Sequence, residues 1–369
     1  MGIAGISIWP LYYFGATSGY SGRAHMFVQA DCFLYAFIVG FLWTAVPRFT
    51  ATAAPTRPVQ YCVAGLLLAA AIAFEAYFYL TGHLLFLAAH AIFITVTARR
   101  FLQRKAPPPD TFSLVGVGML AGTIGALVNA AVAEEWIDPS WDLVGRRMLT
   151  EGMVLLLVLG VGGFLGPRLL GFAELPNFQA IGRLSGQTRP PLMVGKKAQL
   201  YALAGVVILA SVLFEYGFAF PGLAWLRAAV ATAVVCVTLR PWRLPVARTT
   251  LAWCVWVAHW FLIVALWAVC VAPVYRIDLL HIMFMGAFTL MILAIGTRVV
   301  LSHGGHPLAE ERKSWPLRIG LTTGLIALLA RLGAPLASQS YYGHLAGAAL
   351  LWIAGMVFWG IFLARRIRS

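Results

Sequence analysis

Hydrophobic residues occur in eleven long stretches, which short polar or basic segments separate. Most stretches have about 20 residues, the length that an α-helix needs to cross a bilayer. We number the predicted helices 2 to 12 and place them at about residues 25–46, 59–80, 82–99, 112–133, 145–169, 198–216, 219–239, 249–271, 277–300, 316–336 and 343–364. Residues 3–18 are also apolar, but the segment is short and contains Pro10. It is a first span, an interfacial segment or the remnant of a span.

Composition places the whole chain in a membrane. Its residues are 61% hydrophobic and 11% charged, with a mean hydropathy of +0.84, whereas soluble domains carry about 25% charged residues. Lipid cannot satisfy backbone polar groups, and spans of this length solve that problem as helices. We predict an all-α polytopic membrane protein with 11–12 transmembrane helices, a single transmembrane domain over residues 1–369, and the lipid bilayer as its partner.

The net charge is +14, and the distribution of the basic residues along the chain indicates the topology. Basic residues cluster in the segments 99–105, 183–197, 240–248 and 312–318 and in the C-terminal tail. These segments alternate so that they share one side, which is the positive-inside pattern. We therefore place this side and the C-terminus in the cytoplasm. The distribution argues against a nucleic-acid partner, and it leaves the oligomeric state open.

A faint internal repeat links every fourth predicted helix. Helix 2 ends with Gly40-Phe41-Leu42 and then Pro47-Arg48, and helix 6 ends with Gly163-Phe164-Leu165 and then Pro167-Arg168. Helix 10 ends with Gly296-Thr297-Arg298. The similarity is either chance or the sign of three four-helix units.

Histidines concentrate on the side opposite the basic loops, although histidine is costly in lipid. His25 opens helix 2, and His281 lies one turn into helix 10 at a matching depth. Two neutral imidazoles at one depth can flank one haem if these helices pack together. The five cysteines form no C-x-x-C-H motif, so we expect a non-covalent, b-type haem. The alternative is that both histidines are interfacial residues in water.

A second metal could use other histidines. His90 in helix 4 and His259 in helix 9 are buried in apolar sequence, and copper binds two or three imidazoles. Each is equally explained as a hydrogen-bonded core histidine. His83 lies two turns from His90, too far for chelation by the pair.

Acids and arginines in or beside the predicted spans are further candidate functional residues. Asp31, Glu75 and Glu151 are candidates for proton relays or histidine partners, unless Arg227 or Arg331 neutralises them. Arg146 and Arg147 begin helix 6 on the histidine side, against the positive-inside trend. They would bind haem propionates or lipid headgroups.

One segment resembles a known family. Thr297-Arg298-Val-Val-Leu301-Ser-His303-Gly-Gly305-His306-Pro307-Leu308 is similar to the T-R-V-x-L-G-H-T-G-R-P-L signature of the NnrS family. His281-Ile-Met-Phe-Met-Gly286 and Gly40-Phe41-Leu42-x-Thr44-Ala45-Val46-Pro47 match two further family motifs. The likeness is specific around residues 25–48 and 281–308.

The resemblance implies a haem- and copper-containing protein of the bacterial inner membrane, linked to denitrification and to nitric oxide or nitrosative stress. A more distant likeness is to the catalytic subunits of haem–copper oxidases, whose twelve helices form three arcs with low-spin haem ligands from helices 2 and 10. His25 and His281 occupy those places. Arg298 and His303 match the family motif on the basic side, where they would serve cofactor loading or a second site, or be structural.

The chain also departs from the family pattern. The W-H-A-H-E-M motif is reduced to Arg23-Ala24-His25-Met26-Phe27, so Phe27 replaces the second histidine. Trp256 stands where the family has a histidine, one turn from His259, and helix 6 has no histidine. These departures weaken the expectation of copper more than that of haem.

The residues predict a bis-histidine haem protein, and the family resemblance implies that it handles nitric oxide or another small gas; both leave open whether it is an enzyme. Three alternatives remain. A transporter of a small molecule, metal or haem would couple through the buried acids. A redox enzyme related to nitric oxide reductases would need a second metal. A structural membrane subunit would hold no redox centre.

Overall fold

The structure of the chain is a computed structural model that describes residues 1–173, 195–220, 222–307, 310 and 314–368, without the side chains of His303 and Arg368. The chain is 83% helical, and the described residues contain no strand. Within the described residues, twelve helices follow one another as α1 (Gly2–Tyr13), α2 (Gly22–Thr50), α3 (Arg57–Glu75), α4 (Tyr79–Leu102), α5 (Phe112–Ala133), α6 (Trp141–Leu169), α7 (Gly195–Gly217), α8 (Leu223–Leu239), α9 (Thr250–Val271), α10 (Pro273–Ser302), α11 (Trp315–Leu336) and α12 (Ser338–Ile367).

Ten of these helices are long and apolar enough to span a membrane. The all-α polytopic prediction is therefore confirmed, and each predicted helix 2 to 12 has its counterpart in α2 to α12. Helix α8 has 17 residues and is the shorter apolar helix of the set. Helix α1 has 12 residues, about 18 Å of helix against a hydrocarbon core of about 30 Å. Its length does not reach across a bilayer.

Helix α3 ends earlier than its apolar pattern predicts, at Glu75 rather than near residue 80. Tyr77 adopts a left-handed conformation with φ of 65°. The amide of Phe78 donates to the carbonyl of Ala73 at 2.8 Å, and the amide of Tyr77 donates to that of Phe74 at 3.1 Å. This pair of bonds is a Schellman motif, which glycine usually closes. A tyrosine in that position conceals the helix end from sequence inspection.

The backbone divides into two compact units. Unit 1 consists of Met1–Gly5, Gly22–Phe164 and Leu175–Val234, and unit 2 consists of Ile6–Ser21, Leu165–Glu174 and Val235–Ser369. The prediction of a single transmembrane domain stays a prediction.

Unit 1 is held together by close helix packing. A side chain at Gly118 or Gly125 of α5 would meet backbone carbonyls of α6, those of Met153 and Gly145 respectively. The missing side chains therefore allow α5 and α6 to approach each other closely. The start of α1 also packs on α2, because Gln29 Nε2 donates to the carbonyl of Gly2 at 2.7 Å.

Unit 2 contains comparable contacts between its own helices. Arg331 of α11 forms an ion pair with Asp278 of α10. Trp359 Nε1 of α12 donates to Thr297 Oγ1 of α10 at 2.9 Å, and Thr297 Oγ1 donates to the carbonyl of Leu293 at 2.6 Å. The threonine of the family-like segment therefore has a packing role between two helices.

Candidate functional site

Three helices share an unusual internal feature. Helices α2, α6 and α10 each contain a seven-residue π-helical segment, at Val28–Leu34, Met148–Val154 and Ile282–Phe288. A short α-helical stretch of six or seven residues precedes each segment, and 15 or 16 α-helical residues follow it. These are the same three helices that the repeat links. Because π-helical turns are rare and often mark functional sites, the recurrence supports a threefold repeat over chance similarity.

The first two π segments carry an acid at the same position. Asp31 and Glu151 are each the fourth residue of their segment, and Met285 takes this position in the third. Both acidic side chains are buried, with exposed fractions of 0% and 1%. The two acids therefore invite direct comparison within unit 1.

Glu151 lies in a network of opposite charges. Arg227 of α8, itself 1% exposed, places Nη2 at 2.8 Å from Glu151 Oε2 and Nη1 at 2.8 Å from Glu215 Oε2. Arg147 Nη1 lies 3.3 Å from Glu151 Oε1, and the Tyr216 hydroxyl donates to the same oxygen at 3.4 Å. Two carboxylates and two guanidinium groups make the network neutral overall. The expected arginine pairing is thus confirmed for Glu151.

Asp31 has no such partner. Neither of its carboxylate oxygens has a hydrogen-bond partner among the described residues, and the same holds for both ring nitrogens of His83, whose side chain is 0% exposed. Glu75 is half-buried, and its Oε1 also lacks a partner there. Arg331, the second arginine considered for these acids, is paired with Asp278 instead.

His90 uses both ring nitrogens in hydrogen bonds. Its Nε2 lies 3.0 Å from the carbonyl of Met119, and its Nδ1 lies 2.6 Å from the hydroxyl of Tyr35. A carbonyl only accepts, so Nε2 carries the proton, and Nδ1 accepts from Tyr35. A metal at His90 would have to displace one of these partners. This arrangement corresponds to the hydrogen-bonded core histidine that the sequence left as the alternative.

In three other histidines, Nδ1 rather than Nε2 contacts a backbone carbonyl. Nδ1 lies 2.6 Å from the carbonyl of Gly5 in His25, 2.6 Å from that of Val255 in His259, and 2.7 Å from that of Ile277 in His281. Each Nδ1 therefore donates, which leaves the lone pair on Nε2. This is the tautomer that an imidazole ligand uses when a carbonyl orients it. Among described residues, no group of three or more His, Cys, Asp and Glu side chains could hold a metal ion.

The arginines at the start of α6 already contact acids. Arg146 Nη2 lies 2.8 Å from Asp142 Oδ2, and Arg23 Nη2 lies 2.7 Å from Asp142 Oδ1. Arg147 contacts Glu151 as described above. A propionate role for Arg146 and Arg147 stays a prediction, and it would compete with these ion pairs.

On the basic side, Arg298 is half-exposed in α10. His306 Nε2 donates to the carbonyl of Arg366 at 3.0 Å within unit 2. The side chain of His303 lies outside the described residues. The role of Arg298 and His303 in cofactor loading stays a prediction.

Sequence inspection missed two buried polar residues of unit 1, Tyr35 and Asn129. Both are 0% exposed, and neither polar atom of Asn129 has a hydrogen-bond partner in the described part of the chain. Asn129 packs against Gly145, where a side chain would clash with its amide. Two features of the sequence could have identified them: an asparagine inside an apolar span, and a tyrosine one turn after Asp31.

Ten spanning helices with charged side chains buried inside them define a polytopic α-helical membrane protein. The chain belongs to the NnrS protein family, whose model matches residues 1–368. The resemblance seen around residues 25–48 and 281–308 is thereby confirmed. Neither the curated proteins nor the solved structures gave a match.

Proposed function

We propose that this chain is a haem-binding membrane protein of the NnrS type that handles nitric oxide or related nitrosative stress. Membership of the family over residues 1–368 carries the proposal. His25 and His281 are the proposed axial ligands. Two neutral imidazoles on iron give a low-spin haem suited to electron transfer or gas sensing.

The donor chemistry of the two histidines fits this role. Each Nδ1 donates to a backbone carbonyl, of Gly5 or of Ile277, and this bond orients the ring and favours Nε2 as the ligand atom. Both side chains are half-buried rather than sealed in the core.

The two histidines hold similar positions, each within its own helix. His25 lies three residues before its π segment, and His281 lies one residue before its own. An offset of two residues corresponds to about 3 Å along a helix. When α2 and α10 are aligned on their π segments, the residue of α2 that aligns with His281 is Phe27, not His25.

The test is a reduced-minus-oxidised visible spectrum of the purified full chain, with iron and copper analysis of the same sample. We expect a low-spin band, and we expect His281→Ala to remove most bound haem while the fold stays intact. His344→Ala is the matched control, because His344 Nδ1 also donates to a backbone carbonyl, that of Ser340, at 3.0 Å. Full haem content and an unchanged spectrum in His281→Ala would contradict the assignment.

A transporter of a small ligand is the second candidate, and unpartnered Asp31 favours it. An acid without a counter-ion in a membrane span is suited to coupling by protonation. Transport that depends on a proton gradient and disappears in Glu75→Gln or Asp31→Asn would support this candidate over haem-based gas handling. A redox enzyme with copper at His90 and His259 stays a further prediction.

The proposed location is the bacterial inner membrane with a cytoplasmic C-terminus. The distribution of basic residues supports it. In unit 1 the basic ends of α2 and α4 lie together, because Arg100 Nε donates to the carbonyl of Ala53 at 3.0 Å.

A further inference from the structure

Four aromatic side chains pack together within unit 2. The ring centroid of Tyr20, which precedes α2, lies 4.9 Å from that of Trp9 and 4.9 Å from that of Tyr12. It also lies 5.6 Å from the ring centroid of Tyr342, near the start of α12. The ring centroids of Tyr12 and Tyr342 are 5.1 Å apart. These distances are typical of aromatic contacts, so Tyr20 lies at the centre of the group, which we call the tyrosine cluster.

The hydroxyl groups of Tyr20 and Tyr342 contact each other. Their oxygen atoms lie 2.9 Å apart, so one hydroxyl donates a hydrogen bond to the other. This bond is the largest of the effects that raise the pKa of Tyr20 to about 12, and Tyr20 therefore remains a protonated phenol at neutral pH. The side chain of Tyr20 is 40% exposed. Reagents dissolved in water therefore have access to this pair of phenols.

The hydrogen bond brings together the parts of the two rings that react when tyrosine is oxidised. Loss of one electron and of the hydroxyl proton converts a phenol into a neutral radical. Its unpaired electron is shared between the oxygen and ring carbons that include the two Cε atoms, each two bonds from that oxygen. Because the hydroxyl groups of Tyr20 and Tyr342 already touch, a Cε atom of each ring lies near the other ring. Coupling of the two rings is then an intramolecular step between groups held side by side.

The tyrosine cluster also has a simpler explanation, which the experiment below must separate from a chemical role. Tyrosine and tryptophan concentrate at membrane–water interfaces, where the ring is apolar and the hydroxyl or indole N–H is wet. That preference accounts for aromatic residues at the end of a span. It does not require two hydroxyl groups to meet, nor Trp9 and Tyr12 to contact the same tyrosine. These contacts let an electron pass from Tyr20 to either ring after that ring has been oxidised.

We propose that Tyr20 and Tyr342 are an oxidation site at which a dityrosine bond joins the segment before α2 to α12. Each phenol gives one electron to a dissolved one-electron oxidant and its hydroxyl proton to water. The two radicals then form one Cε–Cε bond, and the hydrogen on each bonded carbon returns to an oxygen, which restores both phenols. In total, two equivalents of oxidant are reduced, and the chain loses two hydrogen atoms. The reaction needs no haem, so it is independent of the proposed function.

The test uses the full chain in lipid nanodiscs that each hold one copy, which prevents coupling between chains. The discs are treated with hexachloroiridate(IV), a one-electron oxidant, and the digested protein is analysed by mass spectrometry. We expect a peptide pair joined through Tyr20 and Tyr342, two hydrogen atoms lighter than the sum of its parts, together with dityrosine fluorescence. The pair should fall to background in Tyr20→Phe and in Tyr342→Phe. Tyr61→Phe is the matched control and should keep it, because Tyr61 is an exposed tyrosine of α3 in unit 1.

A denaturing gel of the same samples gives a second readout. Tyr20 and Tyr342 are 322 residues apart in sequence, so the bond closes most of the unfolded chain into a loop that should migrate faster.

The wild-type chain decides the outcome even if a variant fails to fold. Oxidation of Tyr61 while Tyr20 and Tyr342 stay unjoined would overturn the proposal and leave only an interfacial role for the tyrosine cluster. Cross-links of equal yield between other tyrosines would overturn it as well. Haem content is measured in each sample, and we expect the cross-link with and without haem, which separates this result from the proposed haem site.

Discussion

Asp31 and Glu151 occupy the same position in two π-helical segments, yet their surroundings are opposite. Glu151 contacts Arg227 and Arg147 at 2.8 and 3.3 Å, whereas Asp31 has no hydrogen-bond partner among the described residues. Helix α8 brings Arg227 to Glu151. Histidines of α4 contact Phe27 and Tyr35, one turn before and one turn after Asp31, and not Asp31 itself. The backbone position therefore sets where an acid is buried, and the neighbouring helices decide whether it carries a charge.

The two surroundings also suit different tasks. A neutral network of four charged groups around Glu151 fixes α6, α7 and α8 in one arrangement, and its members cannot change charge without disturbing the others. An isolated acid such as Asp31 can gain or lose a proton without breaking an ion pair. Three experiments sharpen or break this comparison.

The largest effect is expected from Arg227→Leu. This change leaves Glu151 and Glu215 buried beside an apolar side chain, and breaking a buried ion pair from one side costs about 3–5 kcal/mol. Thermal unfolding in detergent, followed by tryptophan fluorescence, should show a large loss of stability. The triple variant Arg227→Leu, Glu151→Gln, Glu215→Gln should recover much of it. A wild-type melting temperature for Arg227→Leu alone would show that the network is not a stabilising unit.

A smaller difference is expected between Glu151→Gln and Asp31→Asn. Glu151→Gln removes charge-assisted hydrogen bonds, each worth about 1.5–3 kcal/mol, and leaves Arg227 less compensated. Asp31→Asn exchanges one neutral group for another of similar shape, so we expect a change of less than about 1 kcal/mol. The same unfolding assay measures both. An equal or larger loss for Asp31→Asn would mean that Asp31 is ionised and paired.

The smallest effect is expected at Asp138, which is exposed to water, unlike the buried acids Asp31 and Glu151. Hydrogen bonds from the side chain and the amide of Ser140 lower the pKa of Asp138 below its ordinary value of 3.8. Ser140→Ala removes only the side-chain donor, so the pKa should rise part of the way back. Carbon NMR of aspartate-labelled protein would follow the titration. A lowered pKa adds stability that is present above 3.8 and is lost as pH falls through the folded-state pKa.

Much of the fold could be predicted from the sequence. The predicted range of helix 5, residues 112–133, matches α5 (Phe112–Ala133). The predicted end of α3, near residue 80, was wrong because the helix is closed by Tyr77 and not by a glycine. The π-helical segments were also missed. They change the backbone hydrogen bonding within a continuous helix, which hydrophobic length does not report.

The candidate site was only partly predictable. The three intramembrane acids and Arg227 were named in advance, because charge within an apolar span is conspicuous and costly. Which of these acids Arg227 neutralises was not predictable, since Glu151 and Arg227 belong to helices that are separated by α7. Tyr35 escaped notice because a tyrosine in a span is ordinary until its hydroxyl is seen 2.6 Å from His90.

The sequence by itself determined the class of the protein, its spanning helices and its family. Hydrophobic length is summed residue by residue along the chain, and the lipid solvent imposes helices on every such stretch. Only the tertiary structure decided which acid is neutralised and which ring nitrogen of His25 and of His90 carries a proton. Those states depend on donors, acceptors and charges that distant parts of the chain bring within about 3 Å of one another.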